Sequence, residues 1–156
     1  MKVVSHTVPE SRVLEHPFFS GMDPQLAKPI VAKAVERLYS AGEVLAEEGT
    51  PCEEFFLVYE GKVGLEVGAA DRPRLTVQTV GWGELVGWSW LVPPYEWRFE
   101  ARAVKPTRVV VLDAPTVRQA LEANPGLGYQ FLLRLLPVVA ERLENARVQL
   151  LDIHGR

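Results

Sequence analysis

The sequence predicts a mainly β domain flanked by helices, on three observations. Between Arg37 and Asp113 short apolar runs alternate with turn residues at intervals of about ten residues, as antiparallel strands do. Before and after that stretch the apolar spacing is helical, and the last helix carries an unbroken heptad stripe. A chain of 156 residues suffices for one packed domain. Residues 1–156 are therefore read as a single unit, with N-terminal helices over 15–38, a β region over 39–113 and C-terminal helices over 114–153.

The elements follow in order. His16-Pro17-Phe18-Phe19 opens a first short helix, and Asp23-Pro24 is an N-cap followed by proline at the first helical position. Pro29 is expected to split this zone in two, because an interior proline removes a hydrogen bond. Strand-like runs come at 42–46, 55–59, 63–67, 75–80, 97–104 and 108–112, with Glu60-Gly61-Lys62 and 69–73 as hairpin turns. Pro115 to Ala123 forms a helix stopped by Asn124-Pro125. In the long helix beyond, Leu132, Leu136, Val139, Leu143, Ala146, Leu150 and Ile153 are spaced 4-3-4-3-4-3. That is the seam of a coiled coil, which predicts a homodimer through residues 126–153. Pro137 lies off the seam and predicts a kink.

Composition narrows the function classes. The formal net charge of -3 gives no electrostatic support for coating nucleic acid. Cys52 is alone, which excludes an internal disulfide and suits a reducing compartment. No signal-peptide core and no uninterrupted membrane-length window are present, so the expected location is the cytoplasm. Enzyme readings lack parts. His6, His16 and His154 all lie outside the expected strands, so no cupin-like metal site is predicted. No nucleophile elbow or P-loop occurs, and no cofactor is expected.

All four tryptophans fall within 82–97, together with Gly81, Gly83, Gly87 and the carboxylate Glu84. Glycines let backbone approach a bound group, and amides at a turn can hold an anion. This concentration predicts a pocket.

Four segments carry a family resemblance: His16-Pro17-Phe18-Phe19-Ser20-Gly21-Met22, the 40–49 stretch from Ser40 to Gly49, the 55–63 stretch around Gly61, and Trp82-Gly83-Glu84-Leu85-Val86-Gly87. In this order, followed by a seam-bearing helix, they resemble the cyclic-nucleotide-binding domain of the cyclic-AMP-receptor and Fnr regulators. The resemblance implies a jelly roll (a double-stranded β-helix) with N-terminal helices and a C-terminal dimerisation helix. It also implies a sensor for a small anionic ligand, cyclic AMP or cyclic GMP. Transcription factors of that family continue into a helix-turn-helix, whereas this sequence stops at Arg156; a stand-alone sensor is the expectation. The expected partners are the ligand, a second copy of the chain and another regulatory protein, with neither nucleic acid nor membrane.

A cyclic nucleotide needs a carboxylate for its ribose hydroxyl, a guanidinium and backbone amides for its phosphate, and an apolar platform for its base. By resemblance Glu84 takes the hydroxyl, and the amides from Gly83 through Leu85 and Val86 to Gly87 help hold the phosphate. Ser89 is a possible hydroxyl donor, and Arg142, Asn145 and Gln149 on the long helix are candidates to reach the base. The family's phosphate arginine aligns at or beside Trp97, with Arg98 one step away. Strand alternation puts Trp97, Phe99, Ala101 and Ala103 on one face and Arg98, Glu100 and Arg102 on the other. Two readings stay open. Either a bulge after Pro93-Pro94 turns Arg98 inward to a ligand, or Arg98 pairs outside with Glu100 while Trp97 fills the phosphate's place, leaving a dimeric interaction module.

Overall fold

The computed structural model describes residues 4–68 and 71–154. Nine strands form two antiparallel sheets. The first has the order β1 (Val4–Thr7), β2 (Val35–Tyr39), β9 (Thr107–Asp113), β4 (Glu54–Glu60), β7 (Leu85–Val86), and the second β3 (Val44–Ala46), β8 (Glu100–Ala103), β5 (Val63–Val67), β6 (Leu75–Val80). Helices α1 (Glu10–Leu14) and α2 (Pro24–Val31) lie between β1 and β2, and α3 (Ala114–Ala123) and α4 (Pro125–His154) follow β9. The expected jelly-roll architecture with flanking helices is therefore present.

Continuous apolar runs explain the centre of the first sheet. Phe55 to Val58 on β4 and Val109 to Leu112 on β9 are all buried, because one face meets the second sheet and the other meets helices. Phe56 stacks towards Trp97 inside the roll, with ring centroids 6.0 Å apart. Phe55, on the opposite face, meets Trp90 at 4.6 Å and Phe131 of α4 at 6.3 Å. Leu127, Phe131 and Leu135, one turn apart on α4, are buried against this face.

Several expectations are corrected. Residues 35–38 are strand and not helix: β2 pairs with β9 from Val35↔Val111 to Tyr39↔Thr107. Its Val-Glu-Arg-Leu-Tyr pattern serves a ladder on both sides, since β1 pairs along its other edge. His6 accordingly stands within β1, opposite Glu36. Pro29 does not divide the helix, which runs from Pro24 to Val31 with Asp23 capping the Gln25 amide at 3.0 Å. Burial of Ala27, Ile30 and Val31 outweighs the single lost hydrogen bond. The helix α4 continues through Pro137, where a kink is expected.

Glu60-Gly61-Lys62 is not a hairpin. β4 and β5 belong to different sheets, so the chain turns a corner between layers there. Gly61 has φ +98°, and a Cβ would meet the Pro106 carbonyl oxygen at 2.5 Å, so this corner requires glycine. The 97–104 run shortens to Glu100–Ala103. Trp97 instead donates its amide to the Thr50 carbonyl at 2.9 Å, and its own carbonyl accepts from Gly49 at 2.8 Å.

Candidate functional site

The glycine-rich segment between β6 and the short turn over Ser89–Leu91 is positioned by Val58 of β4. Its carbonyl accepts from the Gly83 amide at 3.1 Å and from His16 Nε2 at 2.9 Å. The Val58 amide in turn donates to the Glu84 carbonyl at 3.0 Å. Leu85 and Val86 then form the two-residue β7, fully buried opposite Leu57 and Phe56.

His16 is fully buried, with Nδ1 accepting from the Phe18 amide at 3.1 Å. This bonding pattern is that of neutral imidazole, and burial holds its pKa below 6.5. Stability from this group is complete above pH 6.5 and falls as pH drops through the lowered value, because the unfolded chain then binds a proton that the folded chain does not. A pH series of melting temperatures should show this loss, and His16→Phe should abolish it. That variant should also cost about 1–3 kcal/mol, since the buried Phe18 amide loses its acceptor.

The amides assigned to a phosphate are largely committed elsewhere. Gly83 donates to Val58, and Glu84 donates to the Gly81 carbonyl at 3.1 Å. The Glu84 carboxylate accepts from the Gly81 amide at 2.9 Å, so it caps its own turn. Gly87, at φ +101°, lies against the Trp97 indole: a Cβ there would sit 2.5 Å from Cη2 and 2.9 Å from Cζ3. Trp97 is 5% exposed and also meets Phe99 at 5.7 Å.

Arg98 points outward. It is exposed and donates to the Pro93 carbonyl at 3.2 Å, so the inward bulge is not formed. Its expected partner Glu100 pairs instead with Arg102 at 2.6 Å and Arg74 at 3.5 Å. The alternation itself holds, with Trp97, Ala101 and Ala103 buried. Ser89 is buried at the start of the turn over Ser89–Leu91.

The tryptophans do not line one pocket. Trp90 is fully buried between Phe55 and Phe131, and Trp97 lies inside the roll. Trp82 is 60% exposed beside His16 and Tyr59, whereas Trp88 lies beneath Arg142.

Arg142, one of the long-helix candidates, turns back onto the roll. Its guanidinium sits 4.8 Å from the Trp88 ring, and Nη2 donates to the Leu85 carbonyl. Nη1 is buried without a protein partner. Burial pushes the guanidinium pKa down to about 10, opposed by the charges of Glu84 and Glu141. Gln149 makes a second tie from α4, donating to the Val77 carbonyl of β6 at 2.8 Å. Gly83, Glu84, Leu85, Gln78 and Arg142 border a cavity of about 160 Å³. An adjoining cleft of about 420 Å³ lies between β6 and α4, lined by Thr76, Gln78, Asn145 and Gln149.

Other chemistry is weakly provisioned. Burial pushes the Cys52 thiol up to about 11, which keeps it protonated and unreactive. Among the described residues no cluster of His, Cys, Asp and Glu could hold a metal ion.

Comparison with known proteins agrees with this architecture. A cyclic nucleotide-binding protein of Geobacter metallireducens GS-15 is 29% identical and superposes with a TM-score of 0.77, covering 87% of this chain and 98% of that one. A cyclic nucleotide-binding domain from Methylobacillus flagellatus KT shares the fold at a TM-score of 0.81 and 20% identity, covering 96% and 88% of the two chains. A Rhodopseudomonas palustris protein named as a potassium channel protein is 25% identical over 147 residues, which are 94% of this chain. The chain spans only 34% of that relative's length. The model of the cyclic nucleotide-binding domain matches residues 36–124, more than half of the sequence. With the roll, the Gly83–Gly87 segment and the long final helix in place, the chain belongs to the cyclic nucleotide-binding domain family.

Proposed function

We propose that this chain is a non-catalytic regulatory module that works as a homodimer and whose phosphate corner is filled by its own Trp97. The observation that carries this reading is the contact of the indole with Gly87, where not even a methyl group fits, while Arg98 faces solvent. A cyclic phosphate would need that space and a cation directed into it. The seam supports the dimer: Leu132, Leu136, Leu143 and Leu150 are each more than half exposed on the single chain, and Val139 and Ala146 complete the stripe. Its partner in signalling is another regulatory protein, reached through the dimer. No helix among the described residues is long and apolar enough to cross a membrane.

One observation favours a second reading, in which the module senses cyclic AMP or cyclic GMP. Arg142 brings a buried guanidinium with a free donor to the cavity that Glu84 borders, so a ligand approaching from α4 would meet a carboxylate and a cation. Occupancy would then change how the α4 helices pack.

A thermal-shift screen separates the two. A nucleotide at a hundred times its Kd adds about 2.7 kcal/mol of stability, on the order of 5–10 °C for a domain of this size. The filled-corner reading predicts no shift with millimolar cyclic AMP or cyclic GMP. A shift that Glu84→Ala removes would overturn it in favour of the sensor.

A further inference from the structure

The seam does not account for all of the apolar surface on α4. Leu133, off the seam, is 47% exposed, whereas Tyr129, seven residues before Leu136 and so on an extension of the seam, is 62% exposed. With successive residues about 100° apart, Leu133 lies well round the helix from Leu132. A two-helix seam covers only a narrow stripe, so this face is broader than one coiled-coil contact uses.

The excess lies beside a second apolar element. Trp88, Leu91 and Val92, in the turn that follows β7, face Tyr129, Leu133 and Leu136 across a groove of about 550 Å³. No charged side chain borders it. Leu132, Leu136 and Val139 belong both to the groove and to the seam, so a helix closing the seam runs along the groove's edge. In a two-fold pair the same surface is used twice, so each copy presents Leu133, beside its seam, to the other's groove.

We infer that the second copy of this chain covers the groove, making the Trp88–Val92 turn part of the dimer interface. The inference rests on the homodimer proposed above and adds to it a contact outside the heptad positions. Its occupant is fixed by continuity with the seam and by the apolar lining. The contact also reaches the family's ligand segment: Trp88 supports Arg142, and Arg142 holds the Leu85 carbonyl. Dimer strength and the conformation of 83–92 are thereby linked.

The test uses the full chain. Val92, 45% exposed, and Leu133 can each be changed to lysine with little effect on the fold of the single chain, checked by circular dichroism. Sedimentation equilibrium should give Val92→Lys and Leu133→Lys dimer Kd values raised at least tenfold. Val104→Lys, 53% exposed on the loop after β8, should leave the Kd unchanged. A dimeric parent whose Kd moves less than twofold in both groove variants would overturn the groove contact and leave the seam standing. A parent that stays monomeric at high concentration would remove both.

Discussion

Trp97→Ala should lower stability by about 3–5 kcal/mol, the range for truncating a large buried aromatic. The indole is 5% exposed, stacks towards Phe56 and fills the space over Gly87, so its removal leaves a void that the sheets cannot collapse into. Denaturant unfolding monitored by circular dichroism gives the value. Gly87→Ala tests the same contact from the other side: its Cβ would press on the indole at 2.5 Å, and φ +101° strains any side chain. In the Trp97→Ala background Gly87→Ala should cost less, because only the backbone strain remains. That difference is a coupling energy read from a double-mutant cycle. Equal costs in both backgrounds would mean that the indole does not press on Gly87.

In the proposed dimer, Leu143→Glu should leave a monomer. Leu143 is 55% exposed on the single chain and central in the heptad stripe. The substitution places one carboxylate from each copy in an apolar seam, and an unpaired buried charge costs several kcal/mol. At about 1.4 kcal/mol per tenfold, the Kd should rise by roughly three orders of magnitude or more. Sedimentation should show a mass falling from twice 17.4 kDa to 17.4 kDa, with the roll still folded. A variant that stays dimeric would place the interface elsewhere.

Arg142 bears on the same helix. Heptad positions set Arg142 and Arg147 on facing flanks of a parallel pair, where like charges repel. The structure removes one of them: Arg142 turns back to Leu85 and Trp88, and Arg147 lies 3.7 Å from Glu144. In the proposed dimer this relieves the seam's flank.

These residues show what was legible and what was not. The inward direction of Trp97 followed from its alternation with Ala101 and Ala103, because a strand's period of two is a local property. Its contact with Gly87 did not, since that glycine comes from the turn after β7 and meets the ring only once the roll has closed. The ties of Arg142 to Leu85 and Trp88 were not legible for a related reason. A heptad describes the side of a helix that faces another helix, and α4 also has the roll as a neighbour. Residues 35–38 were misread as helix because four residues contain too little periodicity to distinguish the end of a helix from a strand. β7 escaped notice because two residues carry no period at all. The caps and most strand cores were plain because Asp23-Pro24, Asn124-Pro125 and the runs on β4 and β9 act locally.

The most direct measurement is a crystal structure of the chain grown with millimolar cyclic AMP. The account predicts the Trp97 indole against Gly87, Arg98 at the Pro93 carbonyl and no nucleotide density along Gly83–Gly87. A nucleotide seated on those amides, with the indole swung away and a guanidinium on its phosphate, would contradict it.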